Sequence, residues 1–311
     1  MLNRPAAPLL LAVGLALLAG CSSSTKLTPF QADAIVGALP TACTTPANGT
    51  ADPAALLVPS GITVVRSEGR DVVLVANRTC VVTIDAASGA TEPLPTLGDS
   101  IAPTMVDGTS DGLAFSSSLS GSVRAINTAG EVTFNVSGLG VPLGLRLMPG
   151  GQVLVTEFAN GRIVRVGPNP DSRVRMVIDG LAGPVDLVIV DATRGYVTET
   201  LAGRISEFRL DQYSKRTLVD GLDRPEGLAL LPSGALAVAE VGARRVLSID
   251  PSNGERTVMA DNLPIGLESP GGTGDPYAIS DLATAGDGTL YLSADRERTV
   301  LRISPRPTGS K

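Results

Sequence analysis

The 311-residue chain has no histidine and no tryptophan, and aromatic residues make up only 3% of it. The missing histidine removes Ser-His-Asp and Cys-His catalysis and every His-ligated metal site. The scarcity of rings leaves little on which single-stranded nucleic acid could stack. A net charge of −6 argues further against nucleic acid, whose binding rests on neutralising phosphates. Lysine is scarce too: Lys26, Lys215 and Lys311 stand against 22 arginines. A Ser–Lys dyad in the body of the chain would have to use Lys215. Carboxylate, amide, hydroxyl and guanidinium groups remain for polar chemistry. At 43% hydrophobic residues, the chain can still bury a sizeable core of Val, Leu, Ile and Ala.

Residues 1–21 read MLNRPAAPLLLAVGLALLAGC. Arg4 gives a positive start, and Ala6–Leu18 is an apolar run of 13 residues. That is short of the ~20 needed to span a bilayer but suits the core of an export signal. The run ends in LLAGC, which resembles the bacterial lipobox. The resemblance implies cleavage before Cys21 and lipidation of that cysteine. Ser22 after it implies the outer membrane, facing the periplasm, in a Gram-negative cell, and the cell surface otherwise. Removing residues 1–20 would take away Arg4 and leave the rest more acidic.

Two other cysteines remain, Cys43 and Cys80. In an oxidising compartment they are a plausible disulfide. Closing a loop of 36 intervening residues would stabilise by ~3–4 kcal/mol on the chain-entropy model; two buried free thiols are the alternative. SSSTKL after Cys21 reads as a tether. Thr28, Pro29 and Gln31 then have the spacing of a helix start, which predicts a short helix over Pro29–Ala38.

The rest is repetitive. Pro142, Pro184 and Pro225 are 42 and 41 apart, as are Glu157, Glu199 and Glu240, and Arg162, Arg204 and Arg245. A period near 40 residues signals a propeller or solenoid. Short alternating runs such as QVLVTE and RIVRV, separated by turns such as PSG and PSNGE, predict four strands per unit rather than two helices. Weaker copies bring the total to six units between residues 53 and 305. The last unit lacks its outer strand, and PAALLVPS at residues 53–60 is expected to supply it and close the ring. The expected organisation is a signal at 1–20, an anchor, tether and short helix at 21–52, the propeller at 53–305 and a tail at 306–311.

PEGLALLPSGALAVAEVGARRVLSID and GTLYLSADRERTVLRI resemble the six-bladed NHL-repeat and gluconolactonase/strictosidine-synthase-like propellers. The resemblance implies an all-β ring of four-stranded antiparallel blades. It carries fold more than activity.

Candidate functional residues divide into those that repeat and those that break the repeat. Glu157, Glu199 and Glu240 could form an acidic face, but an Arg five residues after each predicts ion pairs within the scaffold. Asp186 and Asp281 stand where other units have Gly, and Glu226 is one residue earlier in its own unit. These three are expected at the channel mouth, holding Ca²⁺ or another divalent cation or a cationic ligand. Turn-capping and pairing with Arg224 are the structural alternatives. The insertion Glu268–Pro276 would overhang the same face. The lactonase resemblance implies a channel cation held by a Glu, an Asn and an Asp. Glu226 matches the Asp position, but Val185 replaces the Asn and VPSGI offers no Glu. The related lyases rely on His, which is missing here. The resulting expectation is a monomeric, lipid-anchored binding module for a protein or small ligand. It would touch the membrane only through its anchor and bind no nucleic acid. A carboxylate-metal hydrolase of the gluconolactonase/esterase type and an envelope scaffold are the alternatives.

Overall fold

The computed structural model describes residues 30–35, 58–77, 80–94, 102–169, 174–267 and 278–305. They form six four-stranded antiparallel sheets arranged as the blades of a propeller. The inner strands are Ile62–Ser67, Met105–Thr109, Pro142–Leu147, Pro184–Ile189, Pro225–Leu230 and Leu282–Thr284, in blades one to six. Each blade then steps outward through the chain, as the repeat predicts. The 3₁₀ turn Thr200–Ala202 is the one helical element among the described residues. No helix among them is long and apolar enough to cross a membrane.

Each sheet is too narrow to bury both faces by itself, so the core lies between blades. Val153, Val155 and Val164 of blade three pack with Val123 and Phe134 of blade two. Ala237, Ala239 and Val246 of blade five pack with Leu290, Leu292 and Leu301 of blade six. The repeated phrase Pro-x-Gly/Asp-Leu makes the same irregularity in three blades. The register shifts between Pro142 and Leu145, Pro184 and Leu187, and Pro225 and Leu228. The residue before each Leu thus sits in a bulge near the axis.

Ring closure differs from expectation. The strand that completes blade six is Phe30–Ala34, antiparallel to Thr299–Pro305, with Phe30 opposite Pro305 and Ala34 opposite Leu301. Val58–Ser60 are buried but form no strand, and residues 53–57 lie outside the described ones. The same strand replaces residues 30–34 of the helix expected over Pro29–Ala38, whose other residues, apart from Ile35, lie outside the described ones. A helix of ten or so residues is marginal alone, whereas the open edge of blade six offers a full ladder of backbone partners. Phe30 and Ala32 also pack against the core shared by blades five and six. Cys80 is disulfide-bonded; Cys21 and Cys43 both lie outside the described residues, as do residues 306–311 and the Glu268–Pro276 insertion.

Candidate ligand site on the propeller axis

The repeated Glu–Arg pairs are part of the scaffold. Glu157, Glu199 and Glu240 face Arg162, Arg204 and Arg245 directly across their hairpins. Arg204 grips Glu199 with two hydrogen bonds of 2.8 and 2.7 Å. Arg162 and Arg245 make close ion pairs with their glutamates. Each carboxylate also accepts a backbone N–H from the loop leading into its own blade: Gly140 (2.7 Å), Ala182 (2.7 Å) and Asp223 (2.8 Å). All three glutamates are buried. Burial alone would raise Glu157 and Glu199, but the arginines and the backbone donors hold both below the ordinary carboxylate value. These three side chains therefore present no free acidic face. In blade six, Ala294 occupies the Glu position. Asp295 takes over one residue later, accepting the Leu267 N–H at 2.8 Å. Without an arginine, burial raises its carboxyl.

The residues that break the repeat are also buried: Asp186 and Asp281 at 0% exposure and Glu226 at 5%. Each reaches into the next blade. Asp186 Oδ2 accepts the Leu228 N–H at 2.9 Å and Asp281 Oδ2 the Ile62 N–H at 2.9 Å. Their Oδ1 atoms accept the N–H groups of Leu187 and Leu282, both at 2.8 Å. Glu226 Oε2 accepts the Ser280 N–H at 2.9 Å.

Why Asp interrupts a row of Gly follows from the crowding at the axis. A Cβ on Gly144 would lie 2.6 Å from the Asp186 Cα, and one on Gly227 2.6 Å from the Asp281 Cα. A Cβ on Gly61 would lie 2.3 Å from the Met105 Cα. Blades one, three and five thus carry Gly where blades two, four and six carry Met105, Asp186 and Asp281. The axis admits three side chains at this level, not six.

Two charged axial residues carry no repeat signal, and sequence reasoning missed them. Asp107 in blade two accepts the Leu147 N–H at 2.7 Å, and the Thr63 hydroxyl stands 3.4 Å from its other oxygen. Arg146 in blade three donates to the carbonyls of Leu145 (2.7 Å) and Leu228 (3.4 Å) and lies 3.3 Å from Asp186. Burial disfavours the Arg146 charge, but Asp186, Asp107 and Asp281 outweigh that and raise its pKa. Burial raises Asp107. Burial and then the neighbouring Asp186 push Asp281 well above the ordinary carboxylate value. A charged residue in an otherwise apolar inner strand, as in MVDGT and PLGLRL, was the available clue.

A channel cation does not fit these residues. Both oxygens of Asp186 and of Asp281 already face backbone donors, and a guanidinium lies against Asp186. A Ca²⁺ site wants 6–8 oxygens turned toward one point. Among the described residues, no three potential ligands converge in that way.

The axis does hold a cavity of about 470 Å³. All six blades line it, and it lies where the inner strands end, beyond the level of Asp186 and Asp281. Val64, Val188, Ile189, Ala229 and Leu230 are among its apolar walls; Asp107 and Arg146 are the charged groups of its interior, with Asp191 near the rim. Asp191 is taken up by Thr193 and Arg194.

No family model matches the chain, and no curated protein matches it. Solved structures do match, at low identity. A virginiamycin B lyase from Staphylococcus aureus superposes with a TM-score of 0.57 at 17% identity, over 91% of this chain and 90% of the lyase. A variant of that lyase with one histidine changed to alanine is described as catalytically inactive. A gluconolactonase from Xanthomonas campestris gives 0.59 at 15% identity, over 79% of this chain and 86% of its own. The WD40 propeller of Doa1 gives 0.60 at 12%, over 79% of each chain. Two enzyme types and a WD40 domain match about equally well, so the likeness is one of fold: this chain is a six-bladed propeller with neighbours of gluconolactonase and virginiamycin B lyase type.

Proposed function

We propose that the protein is a ligand-binding propeller, exported and held at the cell envelope by a lipid on Cys21, with its ligand site in the axial cavity. The observation that carries this reading is the cavity itself. Its volume of about 470 Å³ is within the range of small-molecule sites, and mostly apolar walls with a few polar groups are their usual character. The anchor rests on the apolar run and the LLAGC ending of residues 1–21.

Two observations weigh against catalysis of the neighbours' kinds. The chain lacks the histidine on which the Staphylococcus aureus lyase depends. The carboxylates nearest to a lactonase arrangement are spent on backbone donors of adjacent blades. A metal-dependent lactonase or esterase is therefore the second reading.

The test uses the neutral fluorophore Nile red with the wild-type protein and Ala192→Trp, a change at an exposed rim position of the cavity. Saturable one-site binding in the wild type, lost in a variant that melts normally, supports the reading. Binding that ignores the rim change contradicts it. Divalent-dependent lactone hydrolysis abolished by Glu226→Gln would install the hydrolase instead.

A further inference from the structure

We infer that the axial cavity selects ligands with a positively charged amine attached to an apolar body, and that Asp107 is the residue that holds the amine. The inference rests on the cavity reading above and adds the charge of its occupant.

Behind and within the inner part of the cavity lie three carboxylates, Asp107, Asp186 and Asp281, against one guanidinium, Arg146. The balance stays negative even with Asp281 protonated. An anionic ligand would need Arg146, but that side chain is committed to the Leu145 and Leu228 carbonyls and to Asp186. Asp186 and Asp281 are closed off at 0% exposure.

Asp107 is placed differently. It lines the cavity and is only partly buried. No arginine or lysine forms an ion pair with it among the described residues; Arg146 acts on it only through space. One of its oxygens accepts the Leu147 N–H, the Gly108 N–H also acts on the carboxylate, and the Thr63 hydroxyl stands 3.4 Å from the other oxygen, too long for a strong bond. A carboxylate that lines the cavity with no ion-pair partner is an acceptor suited to an N–H donor. An ammonium has three such donors and a compact charge. It would also relieve the cost of desolvating Asp107, the cost that raises its carboxyl. The surrounding Val64, Val188, Ile189 and Leu230 favour an apolar body over a free metal ion or a polyamine.

Three probes of matched length test this: 4-phenylbutylamine, 4-phenylbutanol and 4-phenylbutyrate, titrated by calorimetry against the wild type, Ala192→Trp and Asp107→Asn. The amine should bind at least tenfold tighter than the alcohol, and the butyrate weakest. Asp107→Asn keeps an acceptor for Leu147 and should remove the preference for the amine while sparing the alcohol. An alcohol that binds as well as the amine, or a butyrate that binds tighter, overturns the inference but leaves the cavity reading standing. Amine preference that survives in Asp107→Asn overturns the role of that residue. If no probe binds, or if Ala192→Trp leaves every affinity unchanged, both the inference and the cavity reading fall. The wild-type series alone decides the sign of the charge, so the test does not depend on the variant folding.

Discussion

Asp281 joins the last blade to the first: its Oδ2 accepts the Ile62 N–H at 2.9 Å, across 219 residues of sequence. Asp186 does the same between blades four and five, and Asp107 between blades two and three. Three aspartates, from alternate blades, each bridge to the inner strand of the next blade, and Glu226 of blade five adds a fourth bridge to the Ser280 N–H of blade six. These bridges give the buried carboxylates a structural task before any ligand is considered.

Asp281→Ala should leave the Ile62 N–H buried without an acceptor and cost about 1–3 kcal/mol. Asp281→Asn keeps an acceptor and removes repulsion from Asp186, so its stability at neutral pH should equal or exceed the wild type's. The pH dependence follows from the sign of the shift. A carboxyl raised in the folded state binds its proton more tightly there than in the unfolded chain. Its contribution to stability is therefore greatest below the unfolded value of ~3.9 and declines as pH rises through the folded pKa. Urea unfolding between pH 4 and 7 should show that decline in the wild type less the same curve for Asp281→Asn. A zero difference contradicts it.

Glu199 behaves in the opposite sense. Its carboxyl is lowered in the folded state, so its contribution is present above the unfolded value of ~4.3 and is lost as pH falls through the folded pKa. Acid unfolding of Glu199→Gln should be less steep than that of the wild type. Arg204→Ala strands a buried carboxylate and should cost about 3–5 kcal/mol at neutral pH, read from the denaturant midpoint.

Truncation tests the closing strand. A chain starting at Pro29 retains Phe30–Ala34, the partner of Thr299–Pro305. One starting at Val36 loses it and exposes a strand edge. The second should melt lower and aggregate, and the first should not differ from the unlipidated parent in light scattering. Equal behaviour of the two would show that this strand is dispensable.

The repeat was legible because the same bonds are made in several blades. Glu157–Arg162 and its two copies sit opposite each other in the ladder, so spacing alone exposed the pairing. Asp186 and Asp281 were visible as departures from Gly, but their reason was not. It lies in Gly144 and Gly227 of adjacent blades, whose missing side chains make room for them. Arg146 and Asp107 showed only as lone charges in inner strands, because each occurs in one blade and acts on another. The buried hydroxyls of Thr156 and Thr198 donate to the Val185 and Glu226 carbonyls of the next blade at 2.8 and 2.7 Å, and nothing in their strands distinguishes them from other threonines. The closing strand FQADA has alternation but no local sign of its partner some 270 residues away, and the helix-start spacing of Thr28, Pro29 and Gln31 pointed elsewhere.

Among the described residues, Arg146 is the one cation beside the axial carboxylates. Arg146→Met should leave Asp186 uncompensated and destabilise by about 3–5 kcal/mol at pH 7. The loss should shrink on moving to pH 5, as Asp107 and Asp281, both raised by burial, take up protons in place of the guanidinium. A loss that is equal at both pH values would mean that Arg146 acts through packing rather than charge.

The most direct measurement is anomalous diffraction from crystals of the purified protein soaked with Mn²⁺. If Asp186, Glu226 and Asp281 are committed to the backbone of neighbouring blades, no anomalous peak should stand among them, and Arg146 should remain against Asp186. A Mn²⁺ ion held by these three carboxylates, with Arg146 swung away, would contradict the account and make the metal-dependent hydrolase the better reading.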